Sequence, residues 1–549
     1  SSKAKAQQQG SSIVTASRGD IYDRNGKVLA ESATVNTLIC NPKDIEADGD
    51  SEVIAARLAP VLNMDQNEIL KIITKNSRYQ VIKKRLTNEQ TEAVKKLRDS
   101  DVDATIAKAF KGVYFENDSK RYYPFNVAPH ILGFTGYDNN GLQGIELTFD
   151  DELMGRNGSI ETNQSAKGTT LKDQQNEYLN SSQNGDDVVL TIDETIQHFL
   201  EKHLEEAVTE NKLKEGAAGI IMNPKTGEIL AMASNPTFNI KTYNADYSTL
   251  VSNENKPLIN RAISGLYAPG STYKMVTGIA GLEEGIITKY STRYCEGVYR
   301  FYDDYQPSCF RSISHGEVNV VTALKHSCNI FFFDVGRIAG IDTLNSYSAK
   351  LGFGKKTGIE LPGEMSGIIA GRKYRESIGK TWEDGETLLA AIGQSDNAVT
   401  PVQLVNYVAT IGNGGKFYSP HIIKSIRDAE KNETVYSSST SYESLGLKQE
   451  TLQAVVEGMV EVSKTGGSAG SGFANYTLSS IAVKTGTAEV DGKKATSLLV
   501  GFAPAENPQV AFVLVVENAG TGTTPLNAKY ITQVLQYWFS DRDKFDGVR

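Results

Sequence analysis

A polar stretch from Asn163 to Gly185 divides the chain into two unequal parts. It is rich in Gln, Asn, Ser, Gly and Lys, a composition typical of linkers between domains. We therefore predict a smaller domain over residues 17–180 and a larger domain over residues 181–549. The length of 549 residues agrees with two to four domains.

The smaller part combines strand-like and helix-like patterns. Residues 21–30 predict two strands joined at Asn25-Gly26, because Asn-Gly supplies the positive φ angles of a tight hairpin. From about residue 50 to 105 the sequence is charged and helix-periodic, with Thr87 as an N-cap, which predicts a solvated helical insertion. We interpret the polar residues 1–16 as a juxtamembrane remnant or an artificial extension.

The larger part opens with a strand-like run over residues 187–192 and a helix-periodic run over residues 194–208. Residues 217–232 then predict an alternating hairpin around the turn residues 223–228. These elements indicate a second domain in which strands and helices are mixed.

Charge and hydropathy limit the functional classes. The net charge of −9 argues against a nucleic-acid binder, which would normally present a basic face to the phosphates. No window reaches the roughly 18 consecutive apolar residues that span a bilayer. We expect that an N-terminal membrane anchor has been removed from this chain.

The central chemical motif is Ser271-x-x-Lys274. Pro269-Gly270 ends a loop, and the apolar-periodic run after it predicts a buried helix with Ser271 in its first turn. Serine and lysine three apart lie on one helical face, where the amine can accept the hydroxyl proton. Two other S-x-x-K matches, at residues 2 and 377, stand in a polar tail and a polar loop, and chance predicts roughly two in a chain of this length.

Two further motifs follow in the chain. Ser327-x-Asn329, preceded by His326, would direct both side chains toward a shared cleft, although a serine there could also be an ordinary helix cap. Lys484-Thr485-Gly486-Thr487 follows a strand-like run, so it can pair with an extended peptide and hold its terminal carboxylate. Competing Lys-Thr-Gly matches at residues 356 and 464 follow no apolar strand and have no hydroxyl residue after the glycine.

The three motifs in this order predict an acyl-serine transferase. Other stretches extend the pattern over nearly the whole chain: 17–26 (SRGDIYDRNG), 121–124 (RYYP), 141–146 (GLQGIE), 357–364 (TGIELPGE), 400–404 (TPVQL) and 500–508 (VGFAPAENP). With them, the chain resembles the class B penicillin-binding proteins. We interpret residues 40–45 and the 121–124 segment as closer to the division and spore-cortex branch than to the elongation branch.

The resemblance implies an α/β (α+β) fold, in which a transpeptidase domain with a central antiparallel sheet between helical layers follows a mixed, β-rich pedestal domain. It implies a D,D-transpeptidase that cross-links peptidoglycan stem peptides and is acylated by β-lactams. The expected location is the extracytoplasmic face of the bacterial membrane, reached through the missing anchor. The expected partners are D-Ala-D-Ala stem peptides, β-lactams and a membrane glycan polymerase, with no nucleic acid.

The resemblance also implies a role for each motif residue. Ser271 would be the nucleophile, and Lys274 and Ser327 would relay protons. Asn329 would hold the donor amide, and the backbone N–H groups of Ser271 and Thr487 would form the oxyanion hole. The residues that would bind the substrate carboxylate and its chain are Lys484, Thr485, Gly486 and Thr487.

Three of the four cysteines fall within residues 295–328, which is not the pattern of a disulfide framework. We predict that Cys295, Cys309, His315 and Cys328 bind one structural zinc ion, the Cys₃His set of a closed site. A subset of class B enzymes holds zinc in this segment, and the resemblance favours the metal. A Cys295–Cys309 disulfide is the chief alternative, and His326 is the alternative imidazole.

Three rival functions stay open. A β-lactamase shares the acylation chemistry but is about half this length and needs a glutamate-positioned water. A bifunctional enzyme would carry an N-terminal glycosyltransferase domain, for which residues 1–180 show no signature. A non-enzymatic β-lactam sensor, or a scaffold for the polymerase, would keep all three motifs.

Overall fold

The computed structural model describes residues 9–48, 51–98, 110–163, 177–210, 215–489, 492, 494–520 and 523–541. Its C-terminal part is built on a five-stranded antiparallel sheet. The strands lie side by side in the order Ile229–Asn235, Ala217–Met222, Val510–Val516, Thr496–Ala503 and Ala482–Ala488. The hairpin predicted around residues 223–228 is confirmed as the first pair of this order.

Almost every residue of this sheet is buried, because helices cover both of its faces. Successive strand residues point to opposite faces, so Ile221 and Leu514 pack on one face while Ile220 and Val513 pack on the other. Helices Glu194–Glu210 and Thr524–Gln536 cover the first face, and helix Pro401–Gly412 covers the second. Strands Ala217–Met222, Ile229–Asn235 and Val510–Val516 are therefore largely apolar runs, and the alternation predicted for residues 217–232 is absent.

The N-terminal part is organised around a mixed sheet. Its strands are Ile21–Tyr22, Val28–Cys40, Gln80–Leu86 and Val113–Tyr122, joined by Asp187–Leu190, Ile423–Asp428 and Glu433–Ser437 from the other side of the predicted linker. The hairpin at Asn25-Gly26 is confirmed, with Gly26 at φ 85°. Because Asp187–Leu190 pairs with both Ile21–Tyr22 and Ile423–Asp428, one sheet joins the two parts of the chain.

The segment predicted as a helical insertion contains helices Ser51–Leu62, Gln66–Ile73 and Asn88–Arg98 around a small core of its own. Thr87 caps the last of them, since its hydroxyl accepts the Gln90 N–H. The strand Gln80–Leu86 also lies in this segment, paired with Val28–Cys40. The charged residues of that strand masked its β pattern in the sequence.

Strands Gln9–Val14 and Glu177–Asn180 both pair with Gly158–Asn163. The first falls in the predicted polar extension and the second in the predicted linker, whose residues 164–176 lie outside the described residues. Within the described ranges, no helix is both long and apolar enough to cross a bilayer.

Three N-terminal sequence motifs meet at one buried carboxylate. Glu146 lies 2.6 Å from the Nε atoms of both Arg18 and Arg121, and Arg18 also contacts Asp150 at 2.6 Å. Buried charges are tolerated when they are paired in this way. The motifs at residues 17–26, 121–124 and 141–146 therefore form a single buried ionic junction in the N-terminal part.

The remaining elements are helices, short helical turns and two small strand pairs. The remaining helices are Pro42–Asp48, Pro129–Leu132, Gly144–Thr148, Asp150–Met154, Tyr243–Ser252, Arg261–Ser264, Lys274–Glu283, Val320–Lys325, Asn329–Ala339, Ile341–Lys350, Arg372–Ser377, Asp384–Ala391, Gln449–Ser463 and Gly470–Phe473. Short turns of 3-10 helix occupy Phe110–Gly112, Gly270–Tyr273 and Phe310–Ser312, and a π turn occupies Tyr537–Asp541. Two small strand pairs are Arg293–Cys295 with Gly316–Val318 and Lys416–Tyr418 with Tyr442–Ser444.

Candidate active site

Ser271 lies in a 3-10 turn, Gly270–Tyr273, that continues into helix Lys274–Glu283. In a 3-10 turn, residues three apart eclipse each other, so the predicted shared face of Ser271 and Lys274 is present. Gly270 has φ 53°, and a Cβ there would lie 2.5 Å from the Thr487 carbonyl oxygen. Glycine thus allows the serine turn to lie directly against the strand that carries Thr487.

Lys274 is buried and makes three hydrogen bonds. Its Nζ donates to the Ser327 carbonyl at 2.7 Å, to Ser327 Oγ at 3.1 Å and to Asn329 Oδ1 at 2.6 Å. Burial lowers the pKa of Lys274 to about 8, against the opposing influence of Cys328 and Cys309. A lysine with such a pKa has a substantial neutral fraction near neutral pH and can act as a base.

Ser327 connects the three motifs. Its Oγ accepts hydrogen bonds from Lys274 Nζ at 3.1 Å and from Lys484 Nζ at 3.0 Å. Its backbone has φ 53°, a sparsely populated conformation for a serine and one that recurs at functional sites. The expectation that Ser327 and Asn329 face one cleft is confirmed, since both line it.

Each end of the Asn329 amide makes one hydrogen bond. Its Oδ1 accepts from Lys274, and its Nδ2 donates to the Ser308 carbonyl at 2.9 Å. A carboxamide has a second N–H and a second lone pair, so Asn329 can bind a donor amide while keeping both bonds. The role of Asn329 in holding the substrate stays a prediction.

Lys484, Thr485, Gly486 and Thr487 lie on Ala482–Ala488, the last strand of the five-stranded order. Its outer edge can accept an extended peptide as a further strand. A Cβ at Gly486 would lie 2.9 Å from the Thr272 methyl carbon, so glycine is needed where the strand meets the serine turn. The competing Lys-Thr-Gly matches at residues 356 and 464 lie in loops, and a further match, Lys225-Thr226-Gly227, lies in the turn between strands Ala217–Met222 and Ile229–Asn235.

Lys484 is buried beside another cation. Burial, together with the Lys274 charge, holds the pKa of Lys484 well below its usual range. A carboxylate bound next to it would supply the missing counter-charge and favour the protonated amine.

Residues from all three motifs line one cleft of about 850 Å³, together with other residues for which no sequence pattern predicted a role. Gln394 donates from Nε2 to the Thr487 carbonyl at 3.1 Å, and Ser468 lies beside Thr485. Both residues stand in loops without a periodic pattern, and Ser468 follows the discarded match Lys464-Thr465-Gly466 without being part of it. Sequence reasoning had no local signal for either.

The four predicted metal ligands also come together. The ligand atoms of Cys295, Cys309, His315 and Cys328 all lie within 4.8 Å of one another. The Sγ atom of Cys309 is 3.6 Å from that of Cys295 and 3.8 Å from that of Cys328, and His315 Nδ1 is 3.5 Å from Cys295. The described cysteines are free thiols.

These distances fit a tetrahedral zinc site. Bonds of about 2.3 Å to sulfur and about 2.0 Å to nitrogen place neighbouring sulfurs about 3.8 Å apart and sulfur and nitrogen about 3.5 Å apart. The Cys328 thiol and the Asn329 N–H contribute to lowering the pKa of Cys309, which favours its thiolate. Without a cation, burial raises the pKa of Cys295, and the hydrogen bond to Cys309 together with burial raises that of Cys328, so one negative charge is shared by the three thiols. His326, the alternative ligand, instead stacks on His315 with ring centroids 5.5 Å apart.

Two protein-family models match the chain. The penicillin binding protein transpeptidase domain matches residues 217–536, and the penicillin-binding protein dimerisation domain matches residues 13–190. The first match contains all three motifs, and the second contains the ionic junction around Glu146.

Similar proteins match over most of their length. Stage V sporulation protein D of Bacillus subtilis (strain 168) is 32% identical, over 91% of this chain and 74% of that protein. Peptidoglycan D,D-transpeptidase MrdA of Escherichia coli (strain K12) is 29% identical, over 95% of this chain and 86% of that protein.

Solved structures share the fold. The complex between penicillin-binding protein PBP2 and MreC from Helicobacter pylori matches with a TM-score of 0.79 at 24% identity, over 97% of this chain and 99% of that one. A structure showing coordination of polymerization and crosslinking by a peptidoglycan synthase complex matches with a TM-score of 0.75 at 27% identity, over 97% and 92%. The predicted α+β fold, with its antiparallel sheet between helices, is confirmed.

Proposed function

Because the chain belongs to the class B penicillin-binding proteins and is a peptidoglycan D,D-transpeptidase, we propose that it works through an acyl-enzyme on Ser271. The observation that carries this proposal is the Ser327 hydroxyl, which lies within hydrogen-bond distance of both Lys274 and Lys484 beside the cleft that contains Ser271. This proximity supports assigning the roles of nucleophile, base and proton relay to Ser271, Lys274 and Ser327.

The reaction follows in two steps. Ser271 Oγ attacks the carbonyl carbon of the penultimate D-Ala while Lys274 accepts its proton. The bond to the terminal D-Ala nitrogen breaks, and the relay through Ser327 returns a proton to that leaving amine. An acceptor amine from a second stem peptide then attacks the ester carbonyl carbon, the bond from that carbon to Ser271 Oγ breaks, and the proton of the amine passes through the relay to Ser271 Oγ. A β-lactam enters the first step and remains bound as the ester.

The strand Ala482–Ala488 would align the donor peptide. Thr485 and Thr487, which line the cleft, and the buried Lys484 amine would hold its terminal carboxylate. The N–H groups of Ser271 and Thr487 would hold the oxygen that becomes negative. The close approach of Gly270 to the Thr487 carbonyl supports this role, because it places the two segments side by side.

A zinc ion held by Cys295, Cys309, His315 and Cys328 belongs to the proposal as a structural element. The donor set and its spacing support it. The ion would supply no chemistry in acylation and would fix the fold of the loop that carries Ser327 and Asn329. Cys328 stands between these two residues, and the Asn329 N–H donates to Cys309 Sγ at 3.2 Å.

The biological role in this proposal is septal or spore-cortex wall synthesis at the extracytoplasmic face of the membrane, beside a glycan polymerase. The relative named stage V sporulation protein D supports the spore role. The similar structure of a synthase complex that couples polymerization to crosslinking supports a polymerase partner.

A sensor would also be acylated, so turnover is the decisive test. With a D-Ala-D-Ala pentapeptide and an acceptor amine, we expect repeated release of D-Ala, formation of the cross-linked product and an acyl adduct on Ser271. Product can be followed by chromatography and the adduct by intact-mass and peptide mass spectrometry. Stoichiometric acylation by penicillin without any peptide turnover would favour the sensor instead.

The rate of acylation should depend on the protonation of Lys274. Its neutral form is the base, so the rate should rise about tenfold per pH unit below about pH 8 and level off above it. A lysine with the ordinary pKa of 10.5 would still show a rising rate at that point. Stopped-flow acylation by a chromogenic cephalosporin measures the profile, and a flat rate from about pH 6 to pH 10 would remove Lys274 as the base.

Replacing Lys484 with alanine should weaken recognition of the donor carboxylate. Loss of one charge-assisted hydrogen bond corresponds to a roughly 10- to 150-fold slower acylation by carboxylate-bearing β-lactams. The melting temperature should change by only a few degrees, because the variant removes a buried amine that burial already disfavours as a cation. An unfolded variant would contradict this assignment.

A further inference from the structure

The loop after helix Gln449–Ser463 contains the discarded motif Lys464-Thr465-Gly466, yet it reaches the active site. The Ser468 N–H donates to the Lys325 carbonyl at 3.1 Å, two residues before Ser327. The loop therefore lies between the segment that carries the catalytic serine–asparagine motif and the edge strand of the sheet.

The lysine of this motif, Lys464, forms an ion pair. Lys464 Nζ lies 2.7 Å from Glu461, which also pairs with Lys325 at 2.9 Å. Its ammonium is thus neutralised by a carboxylate of its own helix. Among the loop residues, the side chain that enters the cleft is Ser468.

The Ser468 hydroxyl lies 2.9 Å from the Thr485 hydroxyl, and both residues line the cleft. A hydroxyl has one proton to donate and two lone pairs to accept with. When Ser468 donates to Thr485, the Thr485 proton is free to point at an acceptor in the cleft. The Ser468–Thr485 hydroxyl pair can therefore donate a hydrogen bond to an anionic group in the cleft.

We propose that Ser468 is a positioning residue for the terminal carboxylate of the donor peptide, acting by holding the Thr485 hydroxyl in the donating orientation. The inference rests on the proposed carboxylate role of Lys484 and Thr485. Ser468 does not contact the reacting carbonyl. Ser468 thereby makes the site prefer a ligand with a free carboxylate over a ligand whose terminus is uncharged.

The loop itself does not need this side chain. Backbone hydrogen bonds fix it, from Gly467 to Lys464, from Ser468 to Lys325 and from Ala469 to Val462. Alanine at position 468 keeps all three, so Ser468→Ala removes a hydroxyl and leaves the loop in place. Because Ser468 is exposed, the substitution creates no cavity.

The test compares acylation by benzylpenicillin with acylation by its methyl ester, which lacks the anion. We expect Ser468→Ala to lower the second-order acylation rate for benzylpenicillin about 3- to 10-fold and to leave the rate for the ester unchanged. The effect should appear in the binding constant rather than in the limiting rate. Ser468→Thr should restore the preference, and Thr465→Ala, at an exposed position outside the cleft, should not alter it.

A second variant separates this inference from the proposed function. Thr485→Val should lower the rate for benzylpenicillin, and adding Ser468→Ala to it should cause no further loss, because the serine acts through Thr485. Suppose that Thr485→Val lowers the preference for benzylpenicillin over its methyl ester and Ser468→Ala does not. The role of Ser468 is then overturned, while the assignment of the carboxylate site stands. If Thr485→Val leaves the acylation rate for benzylpenicillin unchanged, the assignment of the carboxylate site itself is wrong. Equal slowing of both ligands by Ser468→Ala would mark a purely structural role and would also overturn the inference.

Discussion

Replacing Ser271 with alanine is expected to abolish labelling by a fluorescent penicillin and to reduce cross-linking by about a thousandfold or more. The substitution removes the nucleophile. Among the described residues of this turn, no other hydroxyl is followed three residues later by a buried lysine. The fold should persist, because Ser271 is only half-buried and lines an open cleft. In-gel fluorescence and intact-mass spectrometry measure the result.

The matched control for this experiment is Ser377→Ala. Ser377 begins another S-x-x-K match but lies exposed at the end of helix Arg372–Ser377. This variant should be labelled like the unmodified protein. An adduct on a serine other than Ser271, or persistent labelling of the Ser271 variant, would refute the assignment.

Protein purified without chelators or a metal column is expected to contain about one zinc ion per chain, and Cys309→Ala is expected to lose it. Cys309 lies within hydrogen-bond distance of both neighbouring thiols and accepts the Asn329 N–H, so its loss should loosen the catalytic loop as well. We expect the melting temperature to fall by about 10 °C and acylation to slow at least tenfold. Plasma mass spectrometry, calorimetry and stopped-flow acylation provide the measurements.

Cys40→Ala is the control, because Cys40 is buried in the N-terminal core and should not affect the metal content. Chelation of the unmodified protein should reproduce the effects of Cys309→Ala. Less than about a tenth of an equivalent of zinc, together with two fewer free thiols than cysteines, would establish a Cys295–Cys309 disulfide and eliminate the metal site.

The local elements of the fold were predictable. The turn at Asn25-Gly26, the hairpin around residues 223–228 and the Thr87 cap each depend on a few consecutive residues, and each is present. The strand Gln80–Leu86 was missed because its register follows from pairing with Val28–Cys40, and pairing with a distant strand can override a charged, helix-like composition.

The sequence by itself determined the chemical groups and their local spacing. Ser271 and Lys274 share a face because a helical turn has a fixed repeat, and Gly270 permits the left-handed turn before them. The order of the three motifs indicated an acyl-serine transferase, and the further stretches along the chain indicated the class B family. Such signals are local, because they depend on backbone geometry and on neighbouring residues.

Only the tertiary structure decided how these groups act together. It placed Lys274 and Lys484 within hydrogen-bond distance of Ser327 Oγ, brought Ser468 to Thr485, and gathered three thiols and an imidazole within 4.8 Å. It also lowered the pKa of Lys274 to about 8. Contacts between residues far apart in the chain, and the loss of water around a buried amine, depend on the whole packed environment. No local pattern in the sequence records them.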